Sequence, residues 1–267
     1  MMAEKKAGKG LSQRQKQIVE MVRQQGFAAV EALAQNFDVT PQTIRRDINE
    51  LCSQGLVRRF HGGVGLSSSV ENVAYETRKV LLLEEKQRIA RQVAGQIPDR
   101  ASVFIDIGTS TEEVARALRD HEGLRVITND LNVATILSGN PTCEVIIAGG
   151  VVRHRYRGIT GEATIDFIRQ FKVDFGILGI SAIDSDGTLL EFDYHEVRVA
   201  QAIIENSRKV FLTADHTKFG RNALVRLGHL SQIDALFTDR QPPEEIAGSL
   251  AEHNVALYVA EAGLRSQ

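Results

Sequence analysis

The sequence has 267 residues, with 32 Lys and Arg against 34 Asp and Glu, 43% hydrophobic and 25% charged residues, five Pro and no Trp. No stretch nears the ~20 apolar residues of a membrane helix, no apolar run follows Lys5, Lys6 and Lys9 as a secretory leader requires, and the two isolated cysteines, Cys52 and Cys143, make no disulfide framework. Membrane-spanning, disulfide-rich, repeat and low-complexity classes are thereby excluded, leaving the expectation of a cytoplasmic globular protein with one large domain or two.

The net charge of −2 hides an asymmetry: residues 1–66 hold ten Lys/Arg and six Asp/Glu, whereas the remainder holds 22 and 28. A small basic part joined to a larger acidic part suggests two jobs, with chance as the alternative for so modest an imbalance. Residues 1–10 read as a disordered tail whose lysines add weak attraction to nucleic acid.

From residue 11 the pattern is helical. Ser12 and Gln15 form a capping-box pair, Leu11, Ile18 and Val22 give an apolar face, and Gly26 ends the helix. A second helix starts near Val30, with Val30, Leu33, Ala34 and Phe37 at i, i+3, i+4 and i+7. After the turn Asp38-Val39-Thr40, Thr40 is an N-cap and Pro41 a first-turn residue, where its missing N–H costs nothing. The third helix should bury Ile44, Ile48 and Leu51, place Cys52 near the core and close at Gly55. Its other face carries Gln42, Arg45, Arg46 and Asn49, again at helical spacing. Arg reads guanine edges or holds phosphates, and Gln or Asn pairs with adenine, so the stripe suits a major groove; a solvated helix face is the alternative. Leu56 to Val64 then reads as a strand, a Gly62-Gly63 turn and a returning strand, a wing whose Arg58 and Arg59 would grip the DNA backbone. Two helices, a reading helix and a wing make a winged helix-turn-helix over 11–66.

Residues 67–83 read as a linker and 84–267 as a second domain, opened by a charged helix at roughly 84–96. Seven apolar runs follow: 103–105, 126–127, 145–147, 175–178, 210–212, 235–237 and 256–259. Non-alternating runs separated by helical stretches predict a mainly parallel sheet covered on both faces, whose ligands bind at the strands' carboxyl ends. There, Asp106-Ile107-Gly108-Thr109-Ser110-Thr111 runs into a helix, so amides, dipole and hydroxyls could hold an anion; a plain strand-to-helix turn is the alternative. It is neither a Walker loop nor a dinucleotide fingerprint. Asn129, Asp193, Glu196, Asp215 and Lys218 stand at other strand ends or late in the chain, where Lys could meet a phosphate and carboxylates could meet hydroxyls. The seven His have no metal-ligand spacing, so no metal and no cofactor are expected, and His195 and His216 read as surface or hydrogen-bonding residues.

Together these residues resemble the DeoR family of bacterial transcriptional regulators, over about residues 13–259. Thr40-Pro41-Gln42-Thr43-Ile44-Arg45-Arg46-Asp47 is similar to the family's recognition helix, and Arg58 to Gly63 to its wing. Asp106 to Thr111 resembles its phosphate loop, with Ser110 where Thr is usual, and Asp215-His216-Thr217-Lys218-Phe219-Gly220 its late motif, with Thr217 for Ser. Asp130 stands where Asn is usual, an acid beside an anion site, and Ala182 where Gly is usual. The resemblance implies a small N-terminal winged helix-turn-helix and a larger α/β sensor domain with a fold like ribose-5-phosphate isomerase and CoA transferases. DNA contacts would come from Thr40, Gln42, Thr43, Arg45, Arg46, Asn49, Arg58 and Arg59. Gly108, Thr109 and Ser110 would hold an effector's phosphate, with Asp106, Asn129, Asp193, Glu196, Asp215 and Lys218 lining the rest. The long runs 174–187 and 189–198 look like the branch governing glycerol metabolism, which implies a non-enzymatic repressor released from an inverted-repeat operator by glycerol 3-phosphate, as a homodimer or homotetramer. Fructose 1-phosphate or a similar effector is the alternative, and a sugar-phosphate isomerase with Glu196 as base and Lys218 as partner is the alternative of another class.

Overall fold

In the computed structural model, which describes residues 11–25, 27–54, 56–60, 62–65, 75–154 and 156–261, the chain divides between Val73 and Ala74 into two units. The expected tail with Lys5, Lys6 and Lys9, the helix-ending Gly26 and Gly55, His61 of the wing, Leu66 at the end of the expected winged domain and residues 67–74 of the expected linker lie outside the described residues.

The first unit contains α1 (Gln13–Gln25), β1 (Phe27–Ala29), α2 (Val30–Asn36), α3 (Pro41–Ser53), β2 (Arg58–Phe60) and β3 (Gly63–Gly65). The Ser12–Gln15 box closes both ways: the Gln15 amide donates to Ser12 Oγ at 3.1 Å and the Ser12 amide to Gln15 Oε1 at 2.9 Å. Ile18, Val22, Leu33, Ile44, Ile48 and Leu51 meet in one core, so the helical spacing read from the sequence is the packing observed. Asp47 sits on the buried side of α3 and accepts from Arg14 Nε at 2.6 Å, fixing α1 against it. Two details differ from the expectation. Strand β1 pairs antiparallel with β3, a partner too short to show a period of two in sequence. The wing turn falls one residue early: Gly62 has φ +81°, while Gly63 already pairs in β3. A Cβ on Gly63 would stand 2.3 Å from the Phe27 ring and 2.5 Å from the Ala28 carbonyl, so only glycine lets the wing lie on β1.

The second unit opens with α4 (Tyr75–Val80) and α5 (Leu83–Ala94), so the linker expected over 67–83 is corrected: its C-terminal part is a helix. Then come β4 (Ser102–Ile105), α6 (Thr109–Ala117), β5 (Arg125–Thr128), α7 (Leu131–Leu137), β6 (Glu144–Ile147), β7 (Val151–Val152), β8 (Ile159–Thr160) and α8 (Glu162–Ile168). The chain continues through β9 (Val173–Gly179), β10 (Ala182–Ile183), β11 (Thr188–Glu191), α9 (Tyr194–Glu205), β12 (Ser207–Thr213), β13 (Val225–His229), β14 (Ala235–Thr238), α10 (Glu244–Glu252) and β15 (Ala256–Val259).

Each of the seven apolar runs is a strand of one sheet, ordered β15-β14-β12-β9-β4-β5-β6 and parallel throughout among the described residues. Both faces are covered, which is why the runs do not alternate. Val103, Ile105, Ile177 and Phe237 pack with α5, α6 and α7, whereas Phe104, Leu178, Leu212 and Leu236 pack with α8, α9 and α10. From β4 the winding proceeds outward through β5 and β6; from β9 it proceeds the other way through β12, β14 and β15. The chain therefore reverses direction between β4 and β9, and loops leaving their carboxyl ends diverge to open a crevice. A small antiparallel sheet, β10-β11-β13, lies beyond β9 in the chain and carries Glu191 at the end of its central strand.

Candidate effector cleft and DNA-binding face

The loop from β4 to α6 shapes the crevice. Gly108 has φ +147°, a conformation that L side chains rarely adopt, and forms the N-cap of the nine-residue α6. Thr111 Oγ1 donates to the Gly108 carbonyl at 2.8 Å and is wholly buried, so its hydroxyl shapes the loop and faces no ligand. The first-turn amides of Thr109, Ser110 and Thr111 precede any helical carbonyl that could accept them, and they share that end of α6 with the positive pole of its dipole.

This loop floors a cleft of about 660 Å³, counting its open mouth. Asp106, Gly108, Thr109 and Ser110 line it from the β4 side, Gly179 and Ser181 from the end of β9, Glu191 from β11, Glu196 from α9, and Tyr75 and Arg78 from α4; Tyr156 and Lys218 complete its polar wall. Lys218 rests on Asp215, Nζ to Oδ2 3.7 Å. Burial lowers the Lys218 ammonium pKa, Asp215 opposing and the cations Arg221 and Arg78 assisting. Burial alone would raise Asp215, but Lys218, the Thr217 hydroxyl and Lys86 hold it below the usual carboxylate range. On α9, burial and then the charge of Glu191 push Glu196 up to about 8, against the hydrogen bond it accepts from the Tyr156 hydroxyl. Burial likewise raises Glu191 and pushes Asp106 up to about 7. One cleft thus holds cationic and amide donors together with carboxyl, phenol and hydroxyl groups. That mixture suits a small molecule bearing both an anion and hydroxyls.

In the first unit, Gln42, Arg45, Arg46 and Asn49 are all exposed along α3. Thr40 caps the helix: its Oγ1 accepts from the Thr43 amide at 3.3 Å and shares a hydrogen bond with Thr43 Oγ1 at 2.9 Å. Both hydroxyls thereby fix the helix end. Arg59 Nη1 donates to Asn49 Oδ1 at 2.9 Å, joining β2 to α3, while Arg45 Nη2 lies 3.8 Å from Glu31 Oε1. Arg58 is partly buried in β2.

The family pattern described as DeoR-like helix-turn-helix domain matches residues 14–70, and that described as DeoR C terminal sensor domain matches residues 82–240. The chain belongs to the DeoR family. It is 55% identical over 246 residues to the glycerol-3-phosphate regulon repressor of Escherichia coli (strain K12), covering 92% of this chain and 98% of that protein. Against the glycerol-3-phosphate regulon repressor of Haemophilus influenzae (strain ATCC 51907 / DSM 11121 / KW20 / Rd) the identity is 50% over 254 residues, 95% of this chain and 99% of that one. Among solved structures, ribose 5 phosphate isomerase A from Neisseria gonorrhoeae aligns with TM-score 0.38 and 12% identity over 50% of this chain and 52% of that one.

In this DeoR-family chain the cleft gathers Asp106, Gly108, Thr109, Ser110, Glu196 and Lys218 of the residues picked out from sequence. Three others stand behind it. Asn129 is buried, donates to the Ile159 carbonyl at 3.4 Å and supports Asp106. Asp215 caps the turn His216–Lys218 and holds Lys218 from below. Asp193 caps α9, accepting from the His195 amide at 2.7 Å, and pairs with Arg153. Asp130, the acid at an Asn position, caps α7 and faces inward, 1% exposed, with the Asn132, Gly108 and Val133 amides directed to it. His195 is exposed and His216 pairs through Nδ1 with Asp239 Oδ2 at 2.6 Å. No group of His, Cys, Asp and Glu among the described residues is arranged to hold a metal ion. Sequence reasoning missed Tyr75, Arg78, Tyr156 and Glu191. Arg78 and Tyr75 fell in a stretch read as linker, and Tyr156 follows no strand of the main sheet. Glu191 stood inside the run 189–198 with a readable signal, a carboxylate closing an apolar strand.

Proposed function

We infer that this chain is a cytoplasmic repressor of genes for glycerol and glycerol-3-phosphate metabolism, bound to its operator when the cleft is empty and released when sn-glycerol 3-phosphate fills it. The observation that carries the reading is the cleft at the β4/β9 reversal, which a helix N-terminus and Lys218 line together with the carboxyl and phenol groups of Glu191, Glu196 and Tyr156. The phosphate lies on the Gly108–Ser110 loop and Lys218, and the glycerol hydroxyls meet Glu196, Glu191 and Asp106. Asn129, Asp193 and Asp215 position these groups. The relatives' names support the choice of effector, and the family's regulatory membership supports sensing over turnover. No cofactor is needed.

On DNA, Gln42, Arg45, Arg46 and Asn49 read the major groove, and Arg58 and Arg59 hold phosphates beside it. Thr40 and Thr43 set the helix end that approaches the backbone. Two copies related by a two-fold axis, in a dimer or tetramer, read an inverted repeat. Release requires the effector to favour the DNA-incompetent state by ~1–3 kcal/mol, the usual range of such couplings.

A thermal-shift titration against glycerol 3-phosphate, fructose 1-phosphate, glycerol and inorganic phosphate tests the cleft. A ligand at about 100 times its dissociation constant stabilises the fold by about 2.7 kcal/mol. The reading expects glycerol 3-phosphate to give the largest shift and glycerol none. A larger shift with fructose 1-phosphate would replace the effector, and no shift with any phosphate would remove the cleft as a sensor.

A further inference from the structure

Helix α4 is where the chain leaving the DNA-binding unit enters the sensor unit: the first unit ends at Val73 and α4 begins at Tyr75. It has six residues and no fully buried side chain. A helix this short has little stability of its own, so polar contacts hold it. The Tyr75 hydroxyl donates to Glu112 Oε1 at 2.6 Å and accepts from Asn132 Nδ2 at 3.1 Å. The buried Lys86 ammonium donates to the Arg78 carbonyl.

The Arg78 side chain lacks such a tie. It lines the same cleft as Thr109, Ser110 and Lys218, and its Nε is closed off from solvent with no hydrogen-bond partner. A buried, charged donor without an acceptor is unfavourable, and a second cation, Lys218, shares the cavity. The charges of Glu191 and Glu196 already act on the guanidinium, but no acceptor reaches Nε; phosphate oxygens would supply that acceptor, in the geometry that a guanidinium fork matches.

We propose that Arg78 is a ligand of the effector's phosphate, and that through this contact α4 carries occupancy of the cleft to the DNA-binding unit. The proposal rests on the reading of the cleft as a phosphate site. A ligand shifts a conformational equilibrium only by binding one state better than another. Here the docked position of α4 is the state it binds better, because only then does Arg78 reach the phosphate. With the cleft empty, the buried Nε donor left without an acceptor disfavours docking. Because α4 begins the sensor unit, fixing or freeing it changes the tether to the DNA-binding unit, with no change needed in the parallel sheet.

The test compares the full-length protein with its R78Q and R78K variants. Glycerol 3-phosphate affinity is measured by calorimetry, operator release by anisotropy of a labelled duplex selected with ligand-free protein, and hydrogen exchange is followed over residues 75–80. Loss of a charge-assisted contact weakens R78Q binding roughly ten- to hundredfold, and R78K recovers part of it. In the parent protein, glycerol 3-phosphate slows exchange over 75–80; in R78Q at a saturating concentration it does not, and release is incomplete. R78Q binding as tightly as the parent overturns Arg78 as a ligand. Saturated R78Q that releases operator completely, or exchange over 75–80 indifferent to ligand in the parent, overturns transmission through α4. A parent protein that binds neither glycerol 3-phosphate nor inorganic phosphate removes the cleft reading itself, and the proposal with it.

Discussion

Asp130→Asn isolates the acid beneath the Gly108–Ser110 loop. Asp130 is 1% exposed, caps α7 with its Oδ1 2.7 Å from the Asn132 amide, and receives the Gly108 amide. Burial, helped by the charge of Glu112, pushes its carboxyl up to about 7 despite those amides. The folded protein therefore binds this proton more tightly than the unfolded chain, whose aspartate has a pKa of about 3.9. Stability from this group is full below that value and falls as pH rises through 7, the folded-state value. Integrating the linkage between pH 5 and 8 gives a loss of about 2–3 kcal/mol for the parent protein, and relaxation around the charge brings it toward about 1. Asparagine keeps an oxygen for the amides and cannot ionise. Denaturant unfolding of both proteins at pH 5 and pH 8 should show the variant gaining about 1–3 kcal/mol on the parent between those conditions. Asp106 and Glu196, also raised, remain in both proteins and cancel in the difference. A difference that is the same at both pH values, or that favours aspartate at pH 8, would refute the argument from burial.

Other substitutions probe the remaining parts. Lys218→Met should weaken glycerol 3-phosphate binding by about 1.5–3 kcal/mol in calorimetry and leave the buried Asp215 without its ion-pair partner, so the ligand-free melt should also fall; unchanged affinity removes Lys218 from the phosphate's surroundings. Arg45→Ala should weaken operator binding by about 1–3 kcal/mol at one site position, with an unchanged melt and normal effector heat, because the side chain is exposed. Gly63→Ala should cost about 1–3 kcal/mol of stability in the first unit, since the new Cβ would meet Phe27 at 2.3 Å, and operator binding should fail while the sensor unit still binds ligand. Full operator affinity in that variant would mean the wing shifts freely.

Much of this architecture was legible because it follows from burial. The seven apolar runs are the seven strands, since a parallel strand covered on both faces must be apolar without alternation. Helix α3 was equally plain, with Ile44, Ile48 and Leu51 inward and Gln42, Arg45, Arg46 and Asn49 outward. Strand order was not legible, because it depends on which crossovers turn which way, and with it went the placing of the crevice between β4 and β9. Charge alone also misplaced Asp193 and Asp215: a carboxylate two residues before a helical amide serves as a cap as readily as a ligand contact, and sequence does not separate the two uses. Arg78 and Tyr75 were missed for the opposite reason. A six-residue helix without a buried side chain leaves no hydrophobic period to detect.

The most direct test of the central claim is a titration of the operator complex with glycerol 3-phosphate, followed by fluorescence anisotropy of the labelled duplex at fixed salt. Reciprocal linkage requires that the effector weaken operator binding by the same factor by which operator weakens effector binding, about 5- to 150-fold for a coupling of 1–3 kcal/mol. The account predicts release by glycerol 3-phosphate at concentrations where calorimetry shows the cleft filling, and none by glycerol. An operator complex that stays intact, or tightens, with the cleft saturated would contradict it.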